Sequence, residues 1–188
     1  MNTMNNLTFF FLSMATEIFI AGCAGSGTVG ETGSDITVTE TTTTLSAGNS
    51  GATYDNDTEL STGYQVLNFT DVYIVDGNDK RIKGQKVPSG SKFSILYEGV
   101  KNYTLKDGKA FPAMALQLSD SGQQIIIGEP DLLASYAGGL SPEEAATLRA
   151  TITLTDSMQP GNYICSIQIT DKNNPEASII TTWSFDVK

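Results

Sequence analysis

The 188-residue chain carries 11 Lys and Arg against 21 Asp and Glu, a net charge of −10, and has no histidine. That acidity argues against a nucleic-acid partner, since such a chain repels phosphate backbones. The missing imidazole removes the commonest general base and zinc ligand, with every Ser-His or Cys-His arrangement.

Residues 7–14 (LTFFFLSM) form an apolar run, followed after Glu17 by Ile18-Phe19-Ile20. The run is too short to span a bilayer comfortably and is interrupted by an acid, so it fits the hydrophobic region of a signal peptide over residues 1–22. The block Ile20-Ala21-Gly22-Cys23 resembles the lipobox of bacterial lipoproteins, in which small residues precede a cysteine that is diacylated and becomes the mature N-terminus. This resemblance implies lipidation at Cys23 and a membrane anchor in the bacterial cell envelope. Ala24, in place of aspartate, leans toward the outer membrane. A lipidated Cys23 also leaves Cys165 as a free thiol.

Residues 23–63 read as a flexible tether. Of the forty positions 24–63, 23 are Thr, Ser or Gly and Tyr54 is the sole aromatic. Such a segment buries too little apolar surface to offset the entropy of ordering it. Within it, Asp35-Ile36-Thr37-Val38-Thr39-Glu40 alternates with β-branched residues and could join a sheet edge.

From Tyr64 the texture changes to short alternating apolar runs separated by turn signals, the pattern of a sandwich or barrel over residues 64–188. Val72-Tyr73-Ile74-Val75 runs into the turn cluster Asp76-Gly77-Asn78-Asp79. Phe93, Ile95 and Tyr97 alternate onto one face. Lys106-Asp107-Gly108-Lys109 predicts a hairpin turn, because Asp-Gly tolerates positive φ. Met114, Leu116 and Leu118 form the next strand, Asp120-Ser121-Gly122 turns the chain, and Ile125-Ile126-Ile127 follows.

One helix is expected. Ser141 is placed to cap it, with Pro142 at its first position and Glu144 at the third, a capping box. The following AATLRA predicts about two turns. Ile152 and Leu154 mark another strand. Two strands close the chain. Tyr163, Cys165, Ile167 and Ile169 share one face of the first, and Ile179, Thr181, Trp183, Phe185 and Val187 one face of the second.

The segment from Pro160-Gly161-Asn162-Tyr163-Ile164-Cys165 to Asp171 resembles the E–F corner of immunoglobulin-like sandwiches. There a tyrosine two residues before the cysteine position closes the corner through its hydroxyl. The resemblance implies an all-β, immunoglobulin-like antiparallel β-sandwich of the bacterial extracytoplasmic kind, with Tyr163, Cys165 and Trp183 in structural roles.

Candidate chemistry competes throughout with turn and core chemistry. Asp76, Asn78 and Asp79 offer oxygen ligands for Ca2+ at a strand end, yet turns favour Asp and Asn on backbone grounds alone. Glu98, Glu129 and Asp131 are the nearest carboxylates for a small hydrolase. Leu132, Leu133, Tyr136 and Leu140 make the long loop 128–142 an apolar binding patch, against the plainer reading that they pack over the sandwich end. Ser89-Gly90-Ser91-Lys92 has S-x-x-K spacing but enters a strand, where the serine lacks the helical setting that chemistry needs. The sequence therefore predicts a lipid-anchored, non-catalytic module that binds protein or glycan through sandwich loops. A calcium-dependent adhesive module and a carboxylate-dependent hydrolase are the alternatives.

Overall fold

The computed structural model describes residues 50–188 together with the backbone of residues 45–47. The signal peptide, Cys23 and residues 24–44 of the expected tether lie outside the described residues.

Among the described residues, eleven strands occur in chain order: β1 (Leu45–Ala47), β2 (Ser50–Asp55), β3 (Leu60–Gln65), β4 (Asp71–Asp76), β5 (Lys86–Val87), β6 (Lys92–Glu98), β7 (Pro112–Asp120), β8 (Ile125–Glu129), β9 (Thr147–Thr153), β10 (Gly161–Asp171) and β11 (Asn174–Val187). A 3-10 turn (Ala134–Tyr136) and one helical turn, α1 (Pro142–Ala145), precede β9. The larger sheet runs β1-β2-β3-β11-β10-β7-β8, with β5 pairing in parallel to the end of β11, and the smaller runs β4-β6-β9. All other pairings are antiparallel. The three-stranded sheet packs on the inner face of the larger one around a shared core, an all-β immunoglobulin-like antiparallel sandwich.

Period-2 alternation makes the core. Tyr163, Cys165, Ile167 and Ile169 of β10 are buried, as are Ile179, Thr181, Trp183, Phe185 and Val187 of β11. Phe93, Ile95 and Tyr97 of β6 meet them from the smaller sheet. Phe93 packs edge-on against Trp183 and Phe185 at 5.1 and 5.3 Å, and those two rings stack at 4.6 Å. Each such ring, fully buried, contributes about 1.5–3 kcal/mol by removing apolar surface from water. Tyr163 Oη donates to the Gln159 carbonyl at 2.7 Å, closing the corner as the sequence resemblance implies.

Two expectations need correction. Residues 50–63 are not tether: they form β2, the turn and most of β3, and β3 pairs with β11 from Ser61 to Gln65. Composition misleads here because threonine is β-branched and suits a strand once a neighbouring strand covers it. Thr58, Leu60 and Thr62 are buried, Thr62 Oγ1 hydrogen-bonds Thr181 Oγ1 at 3.1 Å, and Trp183 Nε1 donates to the Thr58 carbonyl at 2.9 Å. The expected two-turn helix is also shorter. Ser141 makes the full capping box with Glu144, but the helix stops at Ala145. Leu148, Ala150 and Ile152 then follow a period of two, and their burial against β6 draws the backbone into β9.

Candidate functional site

A cleft of about 480 Å³ opens beside β4. It exists because the two sheets differ in width. The larger sheet continues past β11 into β3, β2 and β1, whereas the smaller ends at β4. One wall is the β2–β3 hairpin over residues 53–62, the second is residues 69–74, and the third is residues 81–83.

The hairpin wall is set by its turn. Asp55 Oδ1 accepts from the Asp57 N–H at 2.8 Å, the Glu59 N–H reaches the Asp55 carbonyl at 2.7 Å, and Glu59 takes a positive φ of 60°. The side chain of Thr58 points into the protein while its carbonyl receives the Trp183 indole, so the hairpin tip is tied to the core. The Gly84 N–H donates to the Asp57 carbonyl at 3.1 Å and links the hairpin to the third wall.

The opposite walls form a braced polar chain. Arg81 lies over the Tyr73 ring, 3.7 Å from its centroid, and donates to Asp71 Oδ2 at 2.6 Å. Tyr73 Oη donates to Glu98 Oε1 at 2.6 Å. This bond, with burial and the nearby carboxylate charge, raises the Tyr73 pKa. The Asp71 hydrogen bond likewise raises that of Arg81. Both groups therefore hold their protons firmly and act as fixed donors. Ile82 N–H bonds the Ile74 carbonyl at 2.9 Å and seals part of the outer edge of β4.

Other polar groups in the cleft remain open. Among the described residues, the side chains of Thr53, Asn56 and Thr70 make no hydrogen bond, whereas the Tyr54 side chain, opposite exposed Ser61 in the β2–β3 register, lies on the other face of β2 from Thr53 and Asp55. Asp57 meets Lys83 at 4.0 Å, the outer limit of an ion pair. The cleft thus offers an amide, two hydroxyls and carboxylates, groups of recognition by hydrogen bonding.

The sequence-selected residues fall elsewhere. Cys23 lies outside the described residues. Asp76 Oδ1 accepts the N–H groups of Lys80 and Asn78, at 3.0 and 2.8 Å, and these bonds lower its pKa. Asp79 sits at positive φ and pairs with Arg149. Turn closure and ion pairing account for both, and among the described residues no three acidic or cysteine side chains gather as a metal site.

Leu132, Leu133, Tyr136 and Leu140 do not form an exposed patch. Leu133 and Leu140 are buried, Leu132 packs against the core, and Tyr136 alone stays open at 53% exposure. The loop lies back over the sandwich end because Asp131 anchors it. Its carboxylate accepts from the Met114 and Leu133 N–H groups and from Lys172 Nζ at 2.9 Å. Glu98, on the smaller sheet, is separated from Glu129 at the far edge of the larger one, so these carboxylates do not meet. Cys165 is a buried free thiol whose pKa burial pushes up to about 12, leaving no reactive thiolate.

Sequence reasoning missed Thr53 and Asn56 because both stood in the presumed tether. The signal was present: GATY and ELST flank Asp55-Asn56-Asp57, a turn cluster between two half-alternating runs.

No family model matches the chain, and no curated protein does either. Among solved structures it is similar to the C-terminal domain of wzt, at 15% identity over 69% of this chain and 78% of that one, with a TM-score of 0.46. It is also similar to a Niemann-Pick type C2 protein from Japanese carpenter ant (9%, 67% and 96%, TM-score 0.42). The PmoD soluble domain from Methylocystis sp. ATCC 49242 (Rockwell) gives 8%, 73% and 96%, with a TM-score of 0.37. At such identities and TM-scores, nothing these proteins do passes to this chain.

Proposed function

We propose that this protein is a non-catalytic binding module, held in the bacterial cell envelope by lipid on Cys23 and engaging a protein or glycan in the cleft beside β4. The observation that carries the reading is the cleft: its walls are fixed to the core and to one another, while among the described residues the side chains of Thr53, Asn56 and Thr70 are left without hydrogen bonds. A site whose binding groups are held before the ligand arrives loses less entropy on association. The lipobox resemblance supports the anchor, and diacylation supplies the two chains that stable anchoring needs. The outer membrane is the proposed location.

Two measurements test the two halves of this reading. Intact mass of the protein made in a bacterial host is expected to show a chain beginning at Cys23 with a lipid-sized increment, absent from Cys23→Ser. A chain retaining residues 1–22 without lipid would remove the anchor. For the cleft, amide NMR spectra of the Cys23→Ser protein are recorded with soluble envelope material, divided into glycan and protein fractions. Shifts confined to residues 53–62, 69–74 and 81–83 are expected with one fraction. Shifts confined to other loops, or none with either fraction, would move or abolish the site.

A further inference from the structure

We infer that the outer face of the larger sheet is the contact through which two copies of this chain pair about a two-fold axis. One row of residues crosses six strands of that face: Gly128, Gln117, Ser166, Thr182, Ser61 and Tyr54, each opposite the next in the strand register. The alternate residues Leu116, Ile167, Thr181 and Thr62 fill the core, so the row points away from the smaller sheet. The rows on either side add Ala115, Gln168 and Ile180 on one flank, and Ile164 and Ile125 on the other. No charged side chain stands in these three rows, although the chain carries a net −10. Solvated surfaces are ordinarily about a quarter charged. Tyr54, Ile125 and Ile180, three of the six exposed large apolar side chains among the described residues, lie on this one face.

Shape and charge commit the face to a second copy. At one end a groove of about 340 Å³ runs between Ile125, Pro130 and Gln168, kept low by Gly128 and Ala115. At the other end Tyr54 projects, 42% exposed. Tyr54 and Gln117, which lines the groove, stand four strand steps apart in one row, roughly 19 Å at about 4.8 Å per strand. A two-fold axis lying along β11, midway between them, therefore sets Tyr54 of each copy into the groove of the other, with its hydroxyl among the Gln117 and Gln168 amides. The three rows cover roughly 500 Å² per copy, so the pair buries roughly 1,000 Å², the low end of specific interfaces and enough for a weak, reversible dimer. A charged partner finds no opposite charge on these rows, whereas two acidic copies meet here with least repulsion. Asp186, near the end of β11, is the acid closest to the axis, and salt screens its repulsion.

The test is sedimentation of the full-length Cys23→Ser protein from micromolar to near-millimolar concentration, in about 0.15 M salt. The mass is expected to rise with concentration from 20.0 kDa toward twice that value. Thr182→Lys brings two ammonium groups together at the axis and is expected to weaken pairing roughly tenfold or more. Tyr54→Ala is expected to weaken it roughly threefold to tenfold, the usual worth of one ring contact. Thr147→Lys, on the smaller sheet, is expected to leave it unchanged. All three positions are exposed, so folding is not at stake, which a thermal melt checks. A short bismaleimide reads the axis, since Cys165 is buried and does not compete. Thr182→Cys alone is expected to cross-link to its own copy, and so is Tyr54→Cys combined with Gln117→Cys. Tyr54→Cys alone is not, because the axis holds its two copies roughly 19 Å apart. A single-copy mass at every concentration, association that survives Thr182→Lys, or cross-linking of Tyr54→Cys alone in place of Thr182→Cys would overturn the inference. A single-copy protein whose Thr182→Cys thiol is shielded from a simple maleimide would also overturn it, and would give the face to another segment of this chain.

Discussion

Tyr163 shows how much one side chain can carry. Its ring stacks on Phe185 at 6.1 Å and its hydroxyl ties the chain back to Gln159 across the turn that enters β10. Tyr163→Phe keeps the ring and removes the bond, and is expected to cost about 1 kcal/mol of stability, seen as a lower melting temperature with the same cleft spectrum. Asp131 works through charge. Burial alone would raise its pKa, but Lys172 and the Met114 and Leu133 N–H groups outweigh that and hold it below the ordinary value of 3.8. A depressed folded-state value means that the stabilisation is present above that ordinary value and is lost as pH falls through it and below. Melts recorded from neutral to strongly acid pH should therefore show Asp131→Asn less stable than the parent at neutral pH, with the difference shrinking in acid. Equal curves at every pH would deny Asp131 this role. The two residues differ in legibility. The Tyr-x-Cys spacing pointed to the corner, whereas nothing local marks Asp131, whose partners come from β7 and from the start of β11's hairpin.

Elements were readable wherever a single period dominates. The strands β6, β7, β10 and β11 alternate cleanly, and the Asp107-Gly108 turn closes through paired hydrogen bonds between Lys106 and Lys109, with φ of 52° and 73°. β2 and β3 were not readable, since Thr62 of β3 becomes a core residue through Thr181, which β11 places opposite it, and β2 joins the sheet only by pairing with β3. The consequence is testable by truncation. A chain begun at Tyr64 loses the Thr58 carbonyl that receives Trp183 Nε1, and it exposes the edge of β11. It should melt well below a chain begun at Ser50, and its indole fluorescence should shift toward that of a hydrated tryptophan. A buried donor left unpaired costs about 1–3 kcal/mol, to which the lost strand adds its packing. Equal melting temperatures would return residues 50–63 to the tether. The capped helix was legible at its start and not at its end, because Ser141 acts locally while the exit into β9 depends on burial against β6.

At the scale of the whole molecule, the sandwich is asymmetric, and the cleft is that asymmetry made into a surface. A larger sheet that overhangs a three-stranded one creates a recess with hydrogen-bonded walls, and residues 53–83 fill it with aromatic and polar groups. Cys165 belongs to the same rigid interior. With its thiol pKa pushed up to about 12 by burial, it should stay unreactive to a thiol reagent at neutral pH until the domain is unfolded. Rapid labelling of the native protein would contradict the packed core.

The sequence by itself determined the acidic character, the absence of histidine chemistry, the alternating strands after Tyr64, the turns, the corner tyrosine and the two last core strands. Each of these depends on side-chain chemistry or on neighbours within a few positions along the chain. Only the tertiary structure decided that residues 50–63 belong to the domain, that the loop leucines pack inward, and that the open polar groups converge beside β4. Those outcomes rest on contacts between residues as far apart as Thr58 and Trp183, which no local pattern encodes.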